Sequence, residues 1–306
     1  MMNRHHGWSL SLAAAVLVSA FSFSMDSLAA IKANYSEVRI FMRELQAANP
    51  HTTELFELGT SDSGQVVEGL KIGSGKIKTL IVGTHHGNEY GATEVAMGAA
   101  KDLATNPIAD QTVYVIPVLN IQGYNDRDRY EMSAANQQSH DPNRDYPGPC
   151  GTEGPFALKS THMLADFVAA QGIVTSATLH TFYPAVVYPW GLGTHDLSTP
   201  YDDTFKQIVN AATKDSHYQV GNSTEVIYPA NGTFEDYAFW KHGIWSILFE
   251  LGETHTPSQA QVDEMVRVNV PGLRAMLLIA PQARAVDHDF HGKCDASLRS
   301  LDRHDE

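Results

Sequence analysis

The sequence predicts a single α/β domain in which a mixed, mostly parallel, twisted sheet carries helices on both faces. Of the 306 residues, 43% are hydrophobic, which is enough to bury a substantial core. Short apolar runs alternate with longer amphipathic or alanine-rich segments, as in chains whose strands alternate with helices. No repeat, low-complexity linker or change in composition divides the interior of the chain.

The elements follow from local sequence in chain order. Ser36 can cap a first helix because its hydroxyl can accept from free N–H groups of the first turn, and Asn49-Pro50 ends that helix. Runs rich in β-branched and aromatic residues predict strands, and longer periodic segments predict helices. The predicted strands are residues 53–58, 66–72, 79–83, 112–119, 174–179, 185–188 and 246–251. The predicted helices are residues 36–48, 92–103, 157–170, 201–212 and 258–279.

Both ends of the chain are predicted to lie outside this domain. Arg4 precedes an apolar stretch over residues 10–23, and small residues follow up to Ala30, which is typical of a secretory signal peptide over residues 1–30. The stretch is shorter than the roughly 18 residues of a membrane anchor. We therefore expect a secreted or periplasmic protein without a membrane span after signal removal. Residues 31–285 form the predicted domain, and residues 286–306 a mobile polar tail.

Charge and cysteine content restrict the possible partners. The chain has 21 Lys and Arg residues against 35 Asp and Glu residues, a net charge of -14, so it would repel nucleic acid. Cys150 and Cys294 could pair in an oxidising compartment, although the sequence leaves their pairing open. The segment HDFHGKC around Cys294 could suit a second metal, but its polar context favours the tail interpretation. We expect a monomer.

The segment THHGNEYGATE, residues 84–94, places histidines and glutamates where a predicted strand ends. In α/β sheets, ligands bind beyond the carboxyl ends of strands. His86 and Glu89 lie three residues apart on this turn, and Gly87 lets the backbone bend so that both side chains can reach one ion. Zinc hydrolases commonly use three protein ligands, two histidines and a glutamate among the known sets. His180 is the best third candidate because it also ends an apolar run.

Other titratable residues near these motifs require separate interpretations. Adjacent residues at a strand end point to opposite sides, so His85 is assigned to structure rather than to the metal. Glu94 is expected to be a solvent-exposed helix residue. Glu250 lies in the apolar run Ile-Leu-Phe-Glu-Leu, where a carboxylate is costly to bury without a partner or a function. It suits a general base.

The candidate residues form five motifs in one order: His86-x-x-Glu89, Asp141-x-Asn143-Arg144, His180, Tyr228 and Glu250. This order and the step from the tyrosine to the final glutamate resemble the zinc metallocarboxypeptidase family of carboxypeptidase A, over residues 35–280. The resemblance implies the carboxypeptidase-like zinc-peptidase fold. It also implies a metallopeptidase that hydrolyses the C-terminal amide bond of peptides.

The resemblance implies a role for each matching residue. One zinc ion would be bound by His86, Glu89 and His180, with Asp141 bracing His86 through its second ring nitrogen. Zinc would activate a water molecule, and Glu250 would take its proton and pass it to the departing amine.

The same resemblance implies the substrate contacts. Asn143 and Arg144 would hold the terminal carboxylate, because a guanidinium group matches its two oxygen atoms, and Tyr228 would close over it. Glu235 falls at the base of the side-chain pocket, where an acid favours lysine, arginine or diaminopimelate ends, although a solvated loop carboxylate stays open. Peptidoglycan stem peptides would then be plausible substrates in a bacterial envelope.

One family residue has no clear match. The family uses a further arginine, upstream of Asn-Arg, to stabilise the oxyanion of the tetrahedral intermediate. The segment NDRDRYEMSAANQQSHD offers Arg127 and Arg129. We favour Arg127 as the catalytic arginine, and either arginine could instead be a solvated loop residue.

Two other functions stay open. The succinylglutamate desuccinylase and aspartoacylase relatives also use His-x-x-Glu and an Asn-Arg pair, on small N-acyl amino acids. A catalytically silent peptide-binding domain could have kept the fold, but it should have lost a ligand or the base. Tyr228 and the aromatic segment YPWG after His180 favour peptide cleavage.

Overall fold

The computed structural model describes residues 33–152 and 155–298. The predicted signal peptide lies outside the described residues. The strands are β1 (Thr53–Thr60), β2 (Val66–Ile72), β3 (Ile77–Gly83), β4 (Gln111–Ile116), β5 (Glu131–Met132), β6 (Ser139–His140), β7 (Thr175–His180), β8 (Ala185–Tyr188), β9 (Gln219–Asn222) and β10 (Trp245–Glu250). The helices are α1 (Tyr35–Ala48), α2 (Tyr90–Thr105), α3 (Ile121–Asp126), α4 (Lys159–Gln171), α5 (Asp202–Ala212), α6 (Ser223–Val226), α7 (Phe234–His242) and α8 (Gln259–Ile279).

Eight strands form one sheet in the order β1-β2-β4-β3-β7-β10-β8-β9, and β5 pairs with β6 in a separate hairpin. The central strands β4, β3, β7 and β10 run parallel to one another. Antiparallel pairings occur at β1–β2, β2–β4 and β10–β8. Every residue of β4 and β7 is buried, which requires cover on both faces of the sheet. The predicted α/β class with a mixed, mostly parallel sheet is confirmed.

The first helix begins one residue earlier than the sequence predicted. Asn34, not Ser36, is the cap: its side chain accepts from the backbone N–H groups of Ser36 and Glu37. The Glu37 carboxylate accepts from the backbone N–H of Asn34 in return, which completes a capping box. The reciprocal bond with Glu37 explains why the earlier residue takes this position.

Residues 286–298, which the sequence predicts to be part of a polar tail, contact the body of the domain. The ring of Phe290 packs edge-on against Trp190 with centroids 5.4 Å apart, and His288 Nδ1 lies 2.7 Å from the carbonyl oxygen of Trp240. Cys294 forms a disulfide with Cys150. The described part of the tail is therefore attached to the domain through an aromatic contact, a hydrogen bond and a disulfide.

Among the described helices, none is both long and apolar enough to cross a bilayer.

Candidate metal centre and active site

Three neighbouring parallel strands bring the predicted metal and base residues together. The carboxyl ends of β3, β7 and β10 meet at one edge of the sheet. His86 and Glu89 lie on the turn after β3, and His180 is the last residue of β7. Glu250 ends β10 and lies directly opposite His180 in the strand register. Residues separated by up to 164 positions thereby share one site.

His86, Glu89 and His180 form a buried cluster whose possible ligand atoms all lie within 4.8 Å of one another. His86 Nδ1 is 2.8 Å from one carboxylate oxygen of Glu89, and His180 Nδ1 is 3.0 Å from the other. The two Nδ1 atoms are 3.2 Å apart. Two imidazole nitrogens and a carboxylate are a recognised zinc ligand set. Among the described residues this is the one group arranged in this way.

The protonation of the cluster fits a metal site. Asp141 Oδ1 lies 2.9 Å from His86 Nε2, so a proton on Nε2 would be shared with this carboxylate and would leave Nδ1 to face the cluster as a metal ligand. Burial alone would raise the pKa of Glu89, but the nearby His86 and His180 hold that pKa well below its usual range. Burial opposes ionisation of Asp141 too, and His86 and arginine charges hold its pKa well below the ordinary value. The residues present therefore fit zinc.

Arg129, not Arg127, lies beside this cluster. Its Nη1 is 3.2 Å from His86 Nδ1, and its Nε and Nη2 donate to Asp141 Oδ2 at 3.0 and 2.8 Å. Arg127 instead donates to the carbonyl oxygen of Tyr124 at 2.9 Å, and its guanidinium stacks over the rings of Tyr90 and Tyr124. The placement contradicts our preference for Arg127. Arg127 caps the C-terminus of α3 with a φ of 58°, and its guanidinium lies against Tyr124 of that helix and Tyr90 of α2.

The predicted carboxylate clamp is preassembled on a turn of 3₁₀ helix over Pro142–Arg144. Asn143 Oδ1 accepts from the backbone N–H of Phe234 at 2.9 Å, which fixes its amide. Arg144 Nη1 donates to the carbonyl oxygen of Asn143 at 2.7 Å, and its Nη2 donates to the hydroxyl of Tyr228 at 3.2 Å. Tyr228 is 41% exposed. A guanidinium and an exposed aromatic hydroxyl thus lie side by side.

Glu235 is buried in the first turn of α7, rather than facing solvent. Its carboxylate accepts from the hydroxyl of Thr178 and from Asn143 Nδ2, the latter at 3.4 Å. Thr178 lies two residues before His180 on β7, so both side chains project from the same face of the sheet. Glu235 therefore lies below the clamp, on the face of β7 that bears a metal ligand.

Glu250 is half-buried, and its Oε2 has no hydrogen-bond partner among the described residues. Burial, and then the negative charge of Glu89, raise its pKa well above the usual value. A carboxyl group with a raised pKa beside a cluster of metal-binding residues is a candidate for general acid–base catalysis. The geometry therefore suits acid–base chemistry.

Comparison with known proteins identifies the family. The family model described as zinc carboxypeptidase (Peptidase_M14) matches residues 38–272. The chain belongs to the zinc carboxypeptidase family. Carboxypeptidase B of Astacus astacus is 26% identical over 263 residues, which cover 72% of this chain and 86% of that protein. Carboxypeptidase B of Homo sapiens is 24% identical over 263 residues, 72% of this chain and 63% of that protein.

Solved structures share the fold of this zinc carboxypeptidase. Bovine thrombin-activatable fibrinolysis inhibitor, in complex with tick carboxypeptidase inhibitor, superposes with a TM-score of 0.73 at 17% identity. The match covers 80% of this chain and 95% of the other. Murein-tripeptide amidase MpaA from Escherichia coli O157 gives a TM-score of 0.52 at 15% identity, over 79% of this chain and 98% of the other.

Two neighbours of the metal ligands in this zinc carboxypeptidase are buried. His85 Nε2 lies 3.1 Å from the hydroxyl of Tyr146, and its ring stacks on that of His180 with centroids 5.5 Å apart. It supports a ligand without belonging to the cluster. The expectation that Glu94 is solvated is wrong: the side chain is buried, and burial followed by the charge of Asp263 raises its pKa to about 8.

The sequence missed two features of the site. Thr178, which donates to Glu235, was not singled out, although its alternation with His180 along β7 was a usable signal. The burial of Glu94 was not predicted, because it results from α8 packing on α2 in addition to the sheet. The small and apolar residues around the whole circumference of α2 were the signal for that double cover.

Proposed function

We propose that this zinc carboxypeptidase releases the C-terminal residue of peptides, with preference for positively charged ends, including the diaminopimelate of peptidoglycan stem peptides. The buried carboxylate of Glu235 carries the proposal. Its partners among the described residues are neutral, a threonine hydroxyl and an asparagine amide. A buried carboxylate without a cation is costly, and the positive end of a substrate would neutralise it.

The metal and the base have separate tasks in the proposed reaction. His86, Glu89 and His180 would hold the zinc ion, which would supply Lewis-acid polarisation of the scissile carbonyl group and a lowered pKa for a bound water molecule. Glu250 takes the proton of the attacking water and delivers it to the nitrogen of the departing residue. Burial and the charge of Glu89 raise the pKa of Glu250, which makes its carboxylate a stronger base toward water.

Two groups of the substrate need a binding partner: its terminal carboxylate and the oxygen of its scissile carbonyl. Arg144 and the amide of Asn143 bind the terminal carboxylate, and Tyr228 closes over it from its exposed position at the mouth. We assign Arg129, rather than Arg127, to the oxygen of the scissile carbonyl, because its Nη1 lies next to His86.

Two further observations support an extracytoplasmic role. The disulfide between Cys150 and Cys294 is of a kind that persists in oxidising compartments, such as the periplasm or the medium. It agrees with the predicted signal peptide over residues 1–30. The fold shared with a murein-tripeptide amidase adds peptidoglycan fragments to the candidate substrates.

Peptides with lysine or arginine ends are expected to be cleaved faster than peptides with leucine or glutamate ends. Mass spectrometry of a mixed panel, which also contains a stem peptide with diaminopimelate and a small N-acyl amino acid, would measure the released residue. Glu235→Gln removes the buried charge and should reduce the preference for basic ends by about 10- to 100-fold, in line with one to three kcal/mol for a buried charged contact. Cleavage of leucine-ended peptides should change little.

Each alternative outcome of the panel is distinct. Hydrolysis of the N-acyl amino acid alone would replace the peptidase proposal with amidohydrolysis of small substrates. Binding of peptides without release of any residue would indicate a silent binding domain. A preference for acidic or apolar ends in the wild type would remove Glu235 from the side-chain pocket.

Arg129→Ala is expected to lower kcat by about 10²- to 10³-fold, because it removes a donor to the developing oxyanion. Arg127→Ala is the matched control: it lies two residues away and should change thermal stability through the loss of its ring contacts while kcat stays close to wild type. Steady-state kinetics with one good substrate separate the two. A larger loss of kcat for Arg127→Ala would restore Arg127 as the catalytic arginine.

A further inference from the structure

Arg129 and Asp141, which contact His86, are joined by a short hairpin. We call residues 131–140, which contain β5 and β6, the bracing hairpin. Within it Glu131 pairs with His140, and Met132 pairs with Ser139. One end of the bracing hairpin begins two residues after Arg129, and the other end immediately precedes Asp141. Its position therefore sets where both of these side chains meet His86.

The bracing hairpin is seated on the start of α4. The hydroxyl of Ser160 donates to Oε2 of Glu131 at 2.5 Å, and both side chains are buried. The hydroxyl of Ser133 donates to the carbonyl oxygen of Ala157 at 2.8 Å. Of these two contacts, the one made by Glu131 lies closer to Arg129 along the chain.

Asp62, in the turn between β1 and β2, bridges the same two elements. One of its oxygens accepts from the backbone N–H of Ala134 at 2.9 Å, and the other accepts from that of Lys159 at 2.6 Å. Asp145 also faces this region, and accepts from the backbone N–H of Leu158 at 3.1 Å. The start of α4 thus gathers acidic groups from several segments.

Glu131 is the most buried of these acids, with 1% of its surface exposed. Its Oε1 has no partner among the described residues. The titratable and charged groups around it are Asp62, Asp145 and Tyr146, with His140 opposite on β6. Its direct partner Ser160 is neutral. Burial, with the charges of the two aspartates, raises the pKa of Glu131 to about 7.

We propose that Glu131 is a positioning residue: as the neutral acid bonded to Ser160 it seats the bracing hairpin on α4, and so holds Arg129 and Asp141 against His86. This inference rests on the proposed roles of Arg129 and Asp141. Glu131 touches neither substrate nor metal, and its effect on turnover passes through these two residues.

The proposed role of Glu131 makes the seating of the bracing hairpin depend on pH. The pKa of Glu131 in the folded protein lies above its ordinary value of 4.5. Folding therefore favours the protonated acid, and this stabilisation is present at low pH and is lost as the pH rises through about 7. Above that pH a buried negative charge lies beside Asp62 and Asp145, and the bracing hairpin loosens. The part of turnover that depends on Arg129 falls with it.

The test compares the zinc-loaded mature wild type with Glu131→Gln and with Glu94→Gln, a matched buried acid of raised pKa outside the bracing hairpin. kcat and KM are measured from pH 5.5 to 9 with one good peptide. Glutamine stays neutral, so Glu131→Gln should retain its kcat at pH 8. In the wild type, pH 8 is one unit above the pKa of Glu131, and ionisation of this group should lower kcat by up to about tenfold. KM should change little. In Glu94→Gln, kcat should fall with rising pH as it does in the wild type.

Hydrogen exchange of residues 127–142 provides a readout that needs no substrate. At pH 8 this segment should exchange more slowly in Glu131→Gln than in the wild type, and at pH 6 the two should agree. Asp62→Asn is a second variant, which leaves Glu131 in place, removes a neighbouring negative charge and keeps one of the two acceptor oxygens that bridge Ala134 and Lys159. It should move the fall in kcat to higher pH, and it keeps the test open if Glu131→Gln does not fold.

Three results would overturn the inference. A wild-type pH profile in both Glu131→Gln and Asp62→Asn would exclude a link between Glu131 and turnover. Slower exchange in Glu131→Gln without a change in its kcat profile would reduce Glu131 to a purely structural residue. If the wild type releases no residue from any peptide, the proposed function fails, and hydrogen exchange then tests the role of Glu131 without a substrate. Equal exchange at pH 8 would then also reject the pH response of the bracing hairpin.

Discussion

Glu250→Gln is expected to lower kcat by about 10²- to 10⁴-fold while zinc remains bound, because the amide cannot accept and return the proton. Glu250 ends β10 opposite His180, and its pKa is raised by burial and by the charge of Glu89. A group placed in this way is suited to take a proton from water and release it to an amine. KM should change much less than kcat, since the carboxylate of the substrate is held elsewhere.

Glu253→Gln is the matched control, because Glu253 is an exposed glutamate three residues later, on the loop that follows β10. Its kinetic constants should equal those of the wild type. Zinc content is measured on all samples, so that a loss of metal is not mistaken for a loss of base. If Glu250→Gln retains wild-type kcat with a full complement of zinc, another residue transfers the proton.

His180→Ala is expected to abolish tight zinc binding and, with it, peptide hydrolysis. The remaining His86 and Glu89 offer only two of the three ligands that a catalytic zinc site needs. Zinc per chain, measured after dialysis against a weak chelator, should fall from about one to near zero. Added zinc should stabilise the wild type by about 2.7 kcal/mol at one hundred times its dissociation constant, and should not stabilise the variant.

The control here is His195→Ala, since His195 has an exposed side chain away from the cluster. It should bind zinc and cleave peptides as the wild type does. Metal-free wild type and metal-free His180→Ala should unfold at similar temperatures if the variant keeps the fold. Full zinc occupancy in His180→Ala would mean that the metal is bound by a different set of residues.

The pattern of apolar runs was sufficient to predict the central strands and the long helices. Strand β8 has the predicted bounds, and the predicted end of α8 at residue 279 is also observed. These elements are long or strongly apolar, so local burial dominates their conformation. The short elements α3, α7, β9 and the β5–β6 hairpin were not predicted, because contacts with distant segments stabilise them rather than their own periodicity.

The metal ligands were predictable because each carries a local signal. His86 and Glu89 lie on one strand-to-helix turn, and His180 ends an apolar run. Since parallel strands of one sheet present their carboxyl ends at one edge, such residues converge whatever the intervening loops do. Glu250 was predictable for another local reason, namely the cost of a carboxylate among apolar neighbours.

The positions of Arg127 and Arg129 relative to the metal-binding cluster are visible only in the tertiary structure. The two arginines are two residues apart on an irregular segment, and neither composition nor spacing distinguishes them. A positive φ at Arg127 directs its side chain onto Tyr90 and Tyr124, whereas the bracing hairpin directs Arg129 to Asp141. This outcome depends on residues far away along the chain.

The acidic residues also show which features depend on local sequence and which depend on the tertiary structure. The sequence by itself determined which residue types are present at each position and which of them end strands, and from this followed the fold class and the zinc ligand set. The burial of Glu94, Glu131 and Glu235, and the docking of the tail through Cys294, were decided by the tertiary structure. The physical reason is that burial and partner choice depend on packing between distant segments, whereas strand ends and turns depend on neighbouring residues.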